Sequence, residues 1–196
     1  METILEMRPI DWLDLALAIA SSAILVLGII KQEDKSQVAF TWILYVLLDA
    51  VTMFSVKGVG GWYIMQFGYA IGSFVMATIL IYQKRFVWGW LETIISLLIL
   101  ICLILWQIYG SFWAVRSSIL SETGVGVYLI IKTYKNPVVK YNLIGYLGFL
   151  MTSIIAMFAA KDWSVEQMGF PFCETILNII ILFPLIIKWK KERNGI

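Results

Sequence analysis

The sequence predicts an all-α integral membrane protein with seven transmembrane helices, arranged as two parallel three-helix repeats joined by a linker helix. Three observations lead there. Of the 196 residues, 61% are hydrophobic and 14% charged, and the mean hydropathy is +0.86, whereas soluble domains run at roughly 45–50% apolar and about 25% charged. Seven segments approach the roughly 20 mainly apolar residues that a spanning helix needs. The chain also repeats itself at a spacing of 101 residues: Val26-Leu-Gly-Ile-Ile-Lys31 matches Val127-Tyr-Leu-Ile-Ile-Lys132, and Val38, Tyr45 and Thr52 match Val139, Tyr146 and Ser153.

The spans are expected near 12–30, 38–55, 62–82, 86–108, 113–131, 141–160 and 170–187. The amino terminus carries Glu2, Glu6, Asp11 and Asp14 against Arg8 alone, the wrong charge for the leader of a cleavable signal peptide, so the first helix is expected to stay. The connections are short and leave no room for a soluble domain, a nucleic-acid surface or an external active site. Alternate connections differ in charge: of the 15 Lys and Arg residues, four fall on the side of the N-terminus and eleven on the other. That asymmetry puts the N-terminus outside and the C-terminus in the cytoplasm, in what is read as a bacterial plasma membrane.

The repeats divide the chain into a first three-helix unit at 1–85, a linker helix at 86–109 and a second unit with its tail at 110–196. An unpaired helix between the copies makes them parallel rather than inverted, and transporters built this way bind substrate where the halves meet. Ile29-Ile-Lys-Gln-Glu-Asp-Lys-Ser36, followed by Trp42 and Leu44, and its second copy Ile130-Ile-Lys-Thr-Tyr-Lys-Asn-Pro137 resemble the basic loop into helix two of the SWEET and PQ-loop transporters. Leu27-Gly28 and Tyr128-Leu129 stand where the Pro-Gln pair of that family would be, and the prolines found inside SWEET helices are read as absent. Gly61-Trp-Tyr-Ile-Met-Gln66, Gly68-Tyr69 and Asn178 resemble the aromatic and amide pattern of the nicotinamide riboside transporters, which share the seven-helix plan.

Polar residues inside spans point to the site. A carboxylate at the centre of a membrane helix costs about 2.5–3.5 kcal/mol even on insertion scales, so each must face protein or water. Asp49 lies in a stripe with Thr41, Tyr45 and Thr52, at spacings that place all four on one side of helix two. Glu174 and Asn178 stand one turn apart on helix seven, and the amide offers donors and an acceptor to a polar ligand. Gln66, Tyr69 and Ser73 form the facing polar stripe of helix three, and Trp42 is placed to stack on a flat ring. The substrate-binding candidates are therefore Asn178, Glu174, Gln66, Tyr69, Ser73, Trp42, Tyr45 and Asp49.

The resemblance to SWEET proteins implies an asparagine on both helices three and seven, whereas Gly72 stands opposite Asn178 in register. Glu122, at the middle of helix five where the first repeat has Ser21, joins Asp49 and Glu174 as a candidate for carrying a proton. Glu92 is read as interfacial, and most tryptophans as a headgroup-level belt. Gly68 with Gly72, and Gly145 with Gly148, are read as faces for close helix packing, and Gly28, Gly124 and Gly126 as bending points.

Cys102 and Cys173 lack metal-ligand spacing and the chain has no histidine, so no metal, cofactor or disulfide is expected. No nucleophile stands beside a base, which argues against an enzyme and leaves no catalytic residues to name. A retinal protein would need a lysine within helix seven, where the first is Lys188 at its end. The leading expectation is a transporter moving a small polar solute, sugar-like or vitamin-nucleoside-like, by alternating access. The alternatives are a proton-coupled amino-acid or cation transporter, and a seven-helix receptor that binds without transport. Its partners are the substrate and the bilayer, with a homo-oligomer as a further expectation.

Overall fold

A computed structural model describes residues 7–31, 38–135 and 138–194. Seven helices follow one another: α1 (Pro9–Ile30), α2 (Ala39–Gly58), α3 (Ile64–Tyr82), α4 (Trp90–Tyr109), α5 (Ser111–Lys135), α6 (Lys140–Ala159) and α7 (Val165–Arg193). Each is long and apolar enough to cross a membrane. Parts of the repeated basic loops, Gln32 to Ser36 and Asn136-Pro137, lie outside the described residues, as do Glu2 and Glu6.

Local chemistry sets the helix ends. Pro9 opens α1 at a position where its missing N–H costs nothing, and Asp11 accepts from the Arg8 amide at 2.7 Å. Asp11 and Asp14 are both buried in the first turns of α1. Gly60 and Gly110 turn the chain with φ of 74° and 79°, in the region that only glycine enters freely. The α4 start falls four residues later than its hydropathy window, after Gly89, whose amide donates to Glu92 at 2.8 Å. Helix α7 runs past its window at both ends and holds Pro171 and Pro184. Each removes one backbone hydrogen bond from the helix.

Helix α3 packs on both α1 and α2, α7 packs on both α5 and α6, and the two groups meet through α1 on α6 and α2 on α5. Helix α4 leans on α5 and α2, its Leu97, Leu100, Ile101, Leu103 and Ile104 exposed as a lipid-facing wall would be. Small residues let α1 come close to two neighbours. Gly68 and Gly72 of α3 meet Ala18 and Ser22, while Gly145 and Gly148 of α6 meet Leu25 and Ser21. Two of the expected bending points also sit at helix contacts, Gly28 against Tyr141 and Gly126 against Leu177. Any β-carbon at Gly72 would collide with Ser22. Gly72→Leu is therefore expected to cost about 1–3 kcal/mol or more by overpacking, seen as a lower melting temperature in detergent, whereas Leu at the lipid-exposed Phe74 should be nearly neutral.

Candidate functional site

A cavity of about 70 Å³ lies among α1, α2, α3, α5, α6 and α7, and among the described residues α4 adds nothing to its lining. Ser22 comes from α1. Helix α2 supplies Trp42, Tyr45 and Asp49, spaced by three and four residues as one helical face requires. Tyr69, Ser73 and Met76 come from α3, Glu122, Gly126 and Leu129 from α5, Tyr146 and Phe149 from α6, and Glu174, Leu177, Asn178 and Ile181 from α7. Asp49, Ser73, Glu122, Phe149 and Asn178 each stand close to the middle of their helix. The cavity is thus at half height in the bundle.

Apolar clusters pack toward both ends of it. Toward the α1 N-terminus, Met65, Ala156 and Phe170 pack with Trp62 and Tyr69. Toward the other end, Leu25, Ile29, Leu80, Leu182 and Leu185 pack with Trp42, Met76 and Tyr146. The rings on the wall are mutually arranged: Trp42 and Tyr45 have centroids 5.3 Å apart, Tyr69 meets Phe149 edge to face at 4.9 Å, and Tyr146 meets Phe149 at 6.2 Å.

Three of the polar groups on the cavity wall are carboxyls, those of Asp49, Glu122 and Glu174. Ser73 Oγ donates to Asp49 Oδ2 at 2.9 Å, and the Asp49 and Glu122 carboxyls are within side-chain hydrogen-bonding range of each other. Glu122 is 4% exposed and its Oε1 is buried with no hydrogen-bond partner. Asn178 Nδ2 donates back to the Glu174 carbonyl at 2.8 Å and lies 3.4 Å from Glu174 Oε2. The amide donors, read from sequence as free for ligand, are therefore both directed at Glu174 within α7. Among the described residues that line the cavity there is no Lys or Arg.

Eight of the nine residues singled out from sequence, Trp42, Tyr45, Asp49, Tyr69, Ser73, Glu122, Glu174 and Asn178, share this one cavity. Gln66 does not line it. Buried near the start of α3 and oriented to donate, its amide reaches the carbonyls of Tyr63 and Trp62 at 3.1 and 3.3 Å, so it serves the backbone at the helix end. The polar stripe of α2 also divides. Thr41 donates to Glu92 at 2.8 Å, and Thr52 donates to its own Leu48 carbonyl at 2.9 Å. Glu92, expected at an interface, is 5% exposed and ties α4 to α2.

Sequence reasoning missed the α6 wall, although Tyr146 is the repeat partner of Tyr45 and that match was the available signal. It also missed Asp14. Fully buried, Asp14 accepts from Trp62 Nε1 at 3.1 Å, while Arg8 lies over the Trp62 ring at 4.8 Å. Trp62 therefore has a structural task beyond belt anchoring. Around it the end of the bundle is laced across the two groups of helices. Arg8 donates to the Ala159 carbonyl at 3.2 Å, the Trp62 amide to Gln167 at 3.3 Å, and Gln167 to the Gly60 carbonyl at 3.4 Å.

Compared with known proteins, the chain matches no family model, no curated protein and no solved structure.

Proposed function

We propose that the chain is a membrane transporter that carries a small solute by alternating access between two three-helix units, 1–85 and 110–196, with the N-terminus outside. The observation that carries this reading is the central cavity, held at half height with an apolar cluster packed toward each end. Parting one cluster at a time would open the cavity first to one side and then to the other.

The repeat reading has its own support. Exchanging α1, α2 and α3 with α5, α6 and α7 carries the main contacts onto one another: α1 on α3 becomes α5 on α7, α2 on α3 becomes α6 on α7, and α1 on α6 becomes α5 on α2. Tyr45 and Tyr146, matched at the repeat spacing, both face the cavity. Helix α4, which has no counterpart, stays outside it. This arrangement supports the resemblance to the SWEET and PQ-loop plan without naming a substrate.

A second reading, coupling to protons, is favoured by Asp49 and Glu122 facing one buried cavity, because two carboxylates buried side by side repel and a proton on one of them relieves the repulsion. Reconstitution tests the function. Purified protein in liposomes should mediate saturable uptake of one member of a panel of sugars, vitamin nucleosides, amines and amino acids, and Tyr45→Ala with Tyr146→Ala should reduce it. Saturable binding without any flux would replace the transporter with a receptor.

A further inference from the structure

We propose that the central cavity takes a small organic cation, an alkylammonium about the size of choline, held by aromatic rings between Asp49, Glu122 and Glu174. The proposal rests on the transporter reading and names its substrate class. Three carboxyls from three helices face one space, and among the described residues no basic side chain lines it. Acidic residues alone would not make a site. Here Glu122, nearly fully buried, lines the cavity and keeps one carboxyl oxygen, Oε1, without a hydrogen-bond partner, a group that asks for a donor or a positive charge.

The walls point the same way. Trp42, Tyr45, Tyr69, Tyr146 and Phe149 surround the space, and ring faces attract ammonium groups most strongly where water is excluded. A bare metal ion is the poorer occupant. Among the described residues no three acidic, Cys or His side chains converge as a metal's ligands must, so the negative charge is spread around a volume rather than focused on a point. That volume, about 70 Å³, is room for on the order of five waters, which suits a compact ion. A zwitterionic amino acid would bring a carboxylate for which the wall has no cation, and an anion would meet only repulsion.

Charge can be tested apart from shape. Tetramethylammonium, choline and ethanolamine are titrated into the purified full-length protein at constant ionic strength, with sodium chloride as the salt control. Neohexanol, in which carbon replaces the choline nitrogen, is the uncharged match. At least one ammonium compound should raise the melting temperature saturably, and neohexanol should bind at least about tenfold more weakly. Glu122→Gln and Tyr146→Leu, checked as folded by gel filtration, should each weaken the cation. Equal binding of neohexanol, no binding by any of the three cations, or unchanged affinity in both variants would overturn the proposal. Uptake into liposomes separates this from the parent reading. A neutral solute carried without cation binding sinks the substrate class and keeps the transporter, while cation binding without flux does the reverse.

Discussion

Glu122→Gln is expected to abolish the response of transport to a proton gradient while leaving the protein at least as heat-stable as the parent. The Glu122 carboxyl lies within hydrogen-bonding range of Asp49 and shares the cavity with Glu174 of α7, Tyr45 of α2, Tyr69 of α3 and Tyr146 of α6. Two full negative charges about 4 Å apart repel by about 4 kcal/mol at an effective dielectric near 20, so in the proposed cycle the pair holds either a proton or a positively charged solute. Solute entering from one side would then release a proton, and the two would move in opposite directions. Acid-loaded liposomes should accordingly take up choline faster than liposomes at equal pH. Gln keeps the shape and can still hydrogen-bond Asp49, yet it cannot exchange the proton, so its uptake should no longer depend on the gradient. Taking away a buried ionisable group with an unpartnered oxygen should not lower the melting temperature, the usual relation between stability and a functional polar group. A gradient response that survives in Glu122→Gln would remove the pair from the coupling step.

Much of this site is legible in the sequence because a membrane makes polar residues conspicuous. Asp49, Glu122, Glu174 and Asn178 each break an apolar run, and hydrocarbon leaves them nowhere to point but inward. Helical spacing then brings Tyr45 with Asp49 and Tyr69 with Ser73. What periodicity cannot give is the partner of each group. Thr41 and Thr52 share the Asp49 stripe, yet a neighbouring carboxylate takes one and its own backbone the other. Gln66 carries the same signal as Ser73 but sits at a helix start, where the carbonyls of Trp62 and Tyr63 take its amide. Tyr146 and Phe149 read as ordinary apolar residues of α6, since an aromatic ring suits lipid, core and cavity alike. Asp14 counts as one acid among several near the N-terminus until the fold sets Trp62 against it. Rotation of a helix about its axis, and which helix lies opposite, are set by packing through Gly68, Gly72, Gly145 and Gly148, whose neighbours on α1 no local pattern names.

Joining α2 to α5 at the end where α1 begins should stop transport reversibly. A β-carbon placed on Gly58 would lie 2.9 Å from the Ser111 β-carbon, slightly inside the roughly 3.5–4.5 Å that a disulfide spans, so a small relaxation allows Gly58→Cys and Ser111→Cys to pair. Gly58 belongs to the first proposed unit and Ser111 to the second. The same end carries the bonds from Arg8 to Ala159 and between the α2–α3 turn and Gln167, each worth about 1 kcal/mol and so weak enough to break in every cycle, unlike a covalent bridge. Oxidised protein should bind solute only from the opposite end and carry none across, and reductant should restore flux. Each single cysteine variant, with Cys102 buried and Cys173 on α7 as the native free thiols, should transport under both conditions. Full flux in the verified cross-linked protein would mean that these ends do not part, and rocking of the two units would have to give way to movement within one of them.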